Sequence, residues 1–137
     1  MAVINMQLMR YINLLDKVTR VKTMKCYLYN NGIVFAVPKS MVSVAIGQDA
    51  RNVRYISEQI GKRVKVIAEA KGIEDAQKFV ADIVSPIGFN EVTVVDGVLT
   101  LNAGSQSKAA LIGRERRREE ELKTIVKDTF NLELRII

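Results

Sequence analysis

The sequence predicts an α+β fold made of two tandem units of one design, each a three-stranded sheet with helices packed on one face. Three observations carry that expectation. Helical periodicities and short strand-like runs follow one another in the order α-β-β-α-α-β, twice within 137 residues. An Ile-Gly step stands at the same joint of both halves, Ile46-Gly47 and Ile112-Gly113, each followed four residues later by an arginine, Arg51 and Arg117. The glycine spacing nearly repeats as well: Gly32 to Gly47 is 15 residues, and Gly97 to Gly113 is 16. Two units, 1–70 and 71–137, account for the length better than one.

The elements follow in order. Ile4, Leu8, Ile12, Leu15 and Val18 or Val21 recur at helical spacing, so 4–20 is an amphipathic helix. Its polar residues, Asn5, Arg10, Asn13, Asp16 and Lys17, are mixed in charge, which favours core packing over a membrane surface. Runs 26–29 and 33–37 flank Asn30-Asn31-Gly32, a hairpin signal because Asn and Gly tolerate positive φ. Pro38 ends the second strand, having no N–H for a ladder. Ser40 is placed to cap a short helix that reaches Ile46 and stops at Gly47. Asp49 is placed to cap a second helix with Val53, Ile56, Ser57 and Ile60 on one face, stopped by Gly61. Alternation over 64–68 gives the third strand.

Gly72 breaks the chain, and 73–84 reads as a helix with Ala76, Phe79, Val80 and Ile83 inward, ended by Ser85-Pro86. Asp96-Gly97 between 91–95 and 98–101 is the strongest short hairpin signal in the sequence. Ser105 or Ser107 opens a helix to Ile112. A longer helix runs to Phe130, and 132–136 is the last strand.

Composition excludes several classes of function. With no His and a single Cys, Cys26, the chain lacks the ligands of zinc fingers, the usual proton-transfer residue and any internal disulfide. No cofactor, no bound metal and no small-molecule substrate are expected, and nothing suggests an enzyme. No apolar run approaches the roughly 18 residues of a membrane span, and the start has no secretory pattern, so a cytoplasmic protein with no membrane partner is expected. The net charge of +6 is unevenly divided. Residues 1–70 hold 11 basic and 4 acidic side chains, net +7, whereas 71–137 hold 10 and 11, net −1. Attraction to a polyanion therefore belongs mainly to the first half.

The Ile-Gly joints are the candidate sites. Glycine lets backbone approach a phosphate, and the helix that follows presents unpaired N–H groups and the positive end of its dipole. The first site comprises Ile46, Gly47, Gln48, Asp49, Ala50, Arg51, Val53 and Arg54, with Lys62, Arg63 and Val64 from the next strand. Here Arg51, Arg54, Lys62 and Arg63 supply charge, and Ile46, Val53 and Val64 form an apolar wall. The second comprises Ile112, Gly113, Arg114, Glu115, Arg116 and Arg117. Two readings stay open at each joint: contact with nucleic acid, or a helix stop and a helix cap and no more. In the second, basic residues crowd a first helical turn, against the dipole. An anionic ligand accounts for that, and so do i,i+4 pairs of Arg116 with Glu120 and Arg117 with Glu121.

In this order and at these joints the sequence resembles the type II KH module, whose GxxG loop clamps nucleic-acid backbone. Over nearly all its residues it resembles the two-KH archaeal NusA-like transcription factors. The features that carry this are Val44-Ala45-Ile46-Gly47 running into Ala50-Arg51-Asn52-Val53-Arg54, then Ile60-Gly61-Lys62-Arg63-Val64-Lys65-Val66, and Ile83-Val84-Ser85-Pro86-Ile87 before the second hairpin. The resemblance implies two tandem type II KH domains and single-stranded RNA as partner, in transcription termination, antitermination or elongation. RNA polymerase or its elongation complex is a further candidate partner, although the chain has no room for the separate polymerase-binding domain of bacterial relatives. Both loops depart from the motif, with Ala50 and Arg116 where its second glycine stands, and Asp49 and Glu115 beside them. That departure keeps two alternatives in view: a protein-interaction scaffold with degenerate loops, and a ribosome-associated RNA-binding protein.

Overall fold

The computed structural model describes residues 6–137, which form two compact units, 6–69 and 70–137. No helix among the described residues is long and apolar enough to cross a membrane. The first four residues of the helix expected over 4–20 split at this limit: Ile4 and Asn5 lie outside the described residues.

In the first unit, helix α1 (Met6–Thr19) buries Tyr11, Ile12, Leu15 and Thr19. Thr19 is a polar group in that face, and it is satisfied locally: its hydroxyl donates to the Leu15 carbonyl at 2.7 Å and accepts the Val21 N–H at 3.1 Å. Strands β1 (Lys25–Tyr29) and β2 (Gly32–Val37) pair antiparallel, and β3 (Val64–Ala68) adds in parallel to β2, with Ile33 opposite Val64. The parallel pairing requires a crossover. That crossover is helix α2 (Val42–Ile46) and helix α3 (Arg51–Ile60), the two elements that hold the first candidate loop between them. Ile33, Phe35, Val37, Ala45 and Ile56 join α1 in one buried cluster.

The second unit repeats this plan. Helix α4 (Ala76–Val84) buries Ala76, Phe79, Val80, Ile83 and Val84. Strands β4 (Glu91–Val95) and β5 (Val98–Asn102) pair antiparallel, and β6 (Glu133–Ile136) lies parallel to β5. Helices α5 (Gly104–Ile112) and α6 (Arg117–Phe130) make the crossover. Leu99, Leu101, Leu111, Leu122, Ile125 and Val126 are fully or almost fully buried, and the Phe79 ring meets Phe130 edge-on, 5.6 Å between centroids.

Local details differ from the sequence reading. The first turn is Asn30-Asn31, both at positive φ (51° and 63°), and Gly32 already belongs to β2. Asn accepts the left-handed region, so a two-residue type I′ turn forms without glycine. Its counterpart is Asp96-Gly97, at φ 51° and 77°. With the turns matched this way, the 15- and 16-residue spacings become one constant offset: Asn31 to Gly97 and Gly47 to Gly113 are both 66 residues. Gly32 serves another purpose, since a Cβ there would lie 3.1 Å from the Arg63 carbonyl oxygen.

The helix starts differ too. A 3-10 turn, Lys39–Met41, precedes α2 and takes in Ser40, which caps nothing. Another, Ile73–Asp75, precedes α4. Helix α5 begins at Gly104, with no side-chain cap from Ser105 or Ser107.

Candidate nucleic-acid interface

The two loops have the same backbone. Gly47 has φ 79° and ψ 165°; Gly113 has 77° and 173°. Asp49 and Ala50 then both adopt the left-handed conformation (φ 55° and 60°), as do Glu115 and Arg116 (φ 56° and 60°). Ala50 and Arg116 donate their N–H to the carbonyls of Gly47 and Gly113, at 3.1 and 3.2 Å. Both helices behind the loops therefore start from a left-handed residue and lack a side-chain cap. The expected cap at Asp49 is not made; its own φ is positive, which turns it out of the extended geometry a cap requires. The Arg51 and Arg117 N–H groups are taken by the Gln48 and Arg114 carbonyls, and no side chain caps the first turns behind them, at the positive end of each dipole.

This geometry opposes the intrinsic preference of its residues. Each non-glycine residue in the left-handed region costs about 1–2 kcal/mol, and each loop holds two of them. Glycine is obligatory only at the first position. A Cβ on Gly47 would stand 2.8 Å from Asn52 Nδ2, and one on Gly113 would stand 2.9 Å from Arg118 Cγ.

Those two neighbours hold the loops in place. Asn52 Nδ2 donates to the Val44 carbonyl at 3.0 Å, and Arg118 Nη1 donates to the Ala110 carbonyl at 3.1 Å. Each ties the second residue of the long helix to the short helix eight residues back. The sequence reading missed both, since Asn and Arg share no resemblance; only their common offset from the glycine could have exposed them. Arg54, read as a phosphate contact, has a structural task too: its Nη2 donates to the Asp49 carbonyl at 2.6 Å. A guanidinium has five donors, so this leaves several for an anion.

Gln48, Asp49, Arg51 and Arg54 stand at the loop and the start of α3, whereas Lys62, Arg63 and Val64 follow the other end of α3, about 15 Å along its axis. Arg51, Arg54 and Arg63 are exposed, as are Gln48 and Asp49, while Lys62 is half-buried. Ile46, Val53 and Val64 are half-buried against the core cluster, leaving part of each surface open.

The second loop is dressed differently. Arg114, Glu115, Arg116 and Arg117 are exposed, and Ile112 is half-buried. At the position of Val53 stands Glu119, only 7% exposed, held by Arg116 Nη1 at 3.0 Å. Arg116 thus pairs at i,i+3 rather than with Glu120, and Glu120 takes Lys123 at 3.5 Å. The reason is burial, since the inward carboxylate at 119 needs a cation more than the exposed one at 120. By strand register Val64 corresponds to Leu134, so Arg63 corresponds to Glu133, which pairs with Lys127 at 3.4 Å. Arg54 corresponds to Glu120 at the 66-residue offset. The second unit has gained arginines inside its loop and reversed the basic residues at these matching positions of its long helix and last strand. Among the described residues no group of three or more His, Cys, Asp or Glu is placed to hold a metal ion.

Fold and loops together define the class: a mixed α+β protein with two three-stranded sheets, consistent with a KH-like fold. The crystal structure of APE1850 shares that fold over 98% of this chain and 100% of its own, with a TM-score of 0.67 at 21% identity. No protein-family model matches the chain. Its sequence is similar to the probable transcription termination protein NusA of Halococcus morrhuae, 26% identical over 128 residues, covering 91% of this chain and 90% of the relative. The probable transcription termination protein NusA of Methanocaldococcus jannaschii is 27% identical over 131 residues, 92% of this chain and 70% of the relative. The chain is thus NusA-like, similar to archaeal proteins of that name over most of its length.

Proposed function

We propose that this chain is a single-stranded RNA-binding factor of the NusA type, acting in transcription termination, antitermination or elongation in the cytoplasm. It is built as two tandem type II KH domains, 1–70 and 71–137, and performs no catalytic step and uses no cofactor. The observation that carries the reading is the repeated strained loop. Two left-handed residues after a glycine recur in both units despite unlike sequences, each leading into an uncapped helix. Backbone strain kept at matching places in a molecule is a mark of function rather than of stability. The bases lie along Ile46, Val53 and Val64, and the phosphates meet the α3 N-terminus with Arg51, Arg54, Lys62 and Arg63. Because phosphate neutralisation releases counterions, affinity falls steeply with salt.

Fluorescence anisotropy with a randomised single-stranded RNA pool tests this. Arg51→Glu with Arg63→Glu is expected to weaken binding on the order of thirtyfold at low salt, with each lost phosphate contact removing about 0.7 from the salt slope. Wild-type affinity in that variant would remove the first loop from the RNA interface. A second reading applies to the second unit alone: Glu115 stands in its loop and Glu119 and Glu120 in the first turn of α6, which favours a protein contact there. Recovery of RNA polymerase subunits that is lost with Arg114→Glu, while RNA affinity is unchanged, supports that assignment.

A further inference from the structure

We propose that the outer face of α1 is a second polyanion-contact surface, which extends the RNA track beyond the loop; this rests on the RNA reading of the first unit. Arg10, Asn13, Lys17 and Arg20 are all exposed and follow at i, i+3, i+7 and i+10, a single stripe along the helix and its terminal residue. Lys22, also exposed, continues it. At 1.5 Å per residue Arg10 and Arg20 stand about 15 Å apart along the axis, the reach of a few nucleotides.

The charges, mixed in the sequence, separate in the structure. Asp16 is half-buried at the edge of the stripe, and its backbone carbonyl accepts the Arg20 N–H at 2.7 Å. No ion pair joins Arg10, Lys17, Arg20 or Lys22 to a described residue. Arg20 is held at φ 62° at the helix end, where glycine is the cheaper residue. A cation at a helix C-terminus also favours the dipole, which accounts for Lys17 and Arg20 but not for Arg10 in mid-helix or Lys22 beyond the end.

The stripe fits nucleic acid rather than a membrane. The apolar face that a surface helix would insert into lipid, Tyr11, Ile12 and Leu15, is occupied by the core of its own unit. What remains free is charge, with Asn13 among it as a hydrogen-bond donor. The stripe and the loop belong to one unit, in which α1 packs against α2 and α3, the helices that carry the loop.

The test compares randomised single-stranded RNAs of 6 and 20 nucleotides. It uses the full chain, the Arg10→Glu/Lys17→Glu/Lys22→Glu variant and the Arg51→Glu/Arg63→Glu variant. Circular dichroism checks the fold, and the milder Arg10→Gln/Lys17→Gln/Lys22→Gln variant stands in should the first unfold. The α1 variant is expected to bind the 6-mer as wild type does. For the 20-mer it should lose on the order of tenfold at low salt, with a salt slope shallower by about 2, three contacts at 0.7 each. Unchanged affinity and slope for the 20-mer would overturn the proposal and leave the loop reading intact. Loss of binding to phosphatidylserine vesicles without any change toward RNA would overturn it in favour of a membrane. Should the loop variant bind the 20-mer normally while the α1 variant does not, the loop reading fails and this surface stands. If the wild-type chain binds neither RNA, both fall.

Discussion

The two loops of this protein are one backbone in two chemical settings. Gly47 to Ala50 and Gly113 to Arg116 have matching dihedral angles, and each is tied by a side chain to the helix before it. The first runs into Val53 and Arg54 at the start of its helix, and the second into Glu119 and Glu120. Shape and occupant are therefore separable. The strained turn is built by the fold, from a crossover between parallel strands, while the flanking residues decide what the turn can hold.

The largest expected effect follows directly. Arg51→Glu/Arg63→Glu is expected to lower affinity for single-stranded RNA on the order of thirtyfold. Arg114→Glu/Arg117→Glu should lower it by no more than about threefold, because Glu115, Glu119 and Glu120 already stand in that loop and the turn behind it. Equal losses in an anisotropy titration would erase the distinction between the units.

Exchanging the walls sharpens it. Val53→Glu places a carboxylate in a half-buried position with alanine, not arginine, three residues before it, costing about 1–3 kcal/mol of stability in urea unfolding. Adding Ala50→Arg rebuilds the pair that Arg116 and Glu119 form at 3.0 Å. Part of the loss should then return in a double-mutant cycle, and purely additive effects would mean that the pair matters little to Glu119.

How much of this was legible in the sequence depends on distance along the chain. Periodicity and turn chemistry located the helices and strands, because burial of Leu15 or Ile56 imposes its own spacing. The turn read as Asn30-Asn31-Gly32 is one residue shorter, because the two Asn residues supply positive φ and Gly32 already belongs to β2. The helix starts were misread for a related reason: serine and aspartate signal caps, yet both long helices start from left-handed residues that no propensity favours. The exchange of Arg63 for Glu133 could not be read at all. It emerges only from the parallel register of β2 with β3 and of β5 with β6, since α6 is four residues longer than α3.

A smaller effect probes the strain itself. Ala50→Gly removes a Cβ from a left-handed residue and should stabilise the first unit by about 1 kcal/mol. Arg116→Gly relieves the same strain but strips the buried Glu119 of its partner, so it should give no gain. A rise in Tm for the first variant only is the expected result; equal rises would show that Arg116 serves no carboxylate.

The smallest concerns Cys26, buried in the first core, where desolvation pushes its thiol from the ordinary 9.0 up to about 12. An acid whose pKa is raised on folding adds no instability below pH 9. Above it the unfolded chain gains a thiolate that the native state excludes, so stability falls between pH 9 and 12. The thiol's share should be about 1.4 kcal/mol at pH 10, one unit above its unfolded value. Urea midpoints at pH 8 and 10 should differ less in Cys26→Ala than in the wild type, and the native thiol should resist alkylation at pH 8.

The central claim is that the first loop and its flanks receive RNA while the second, with the same backbone, is the weaker partner. Amide chemical-shift mapping during titration with a short randomised single-stranded RNA tests it most directly. The account predicts large, saturable shifts at residues 47–54 and 62–64, with smaller ones at 113–118. Shifts confined to 113–118, or none at either loop under conditions where RNA binds, would contradict it.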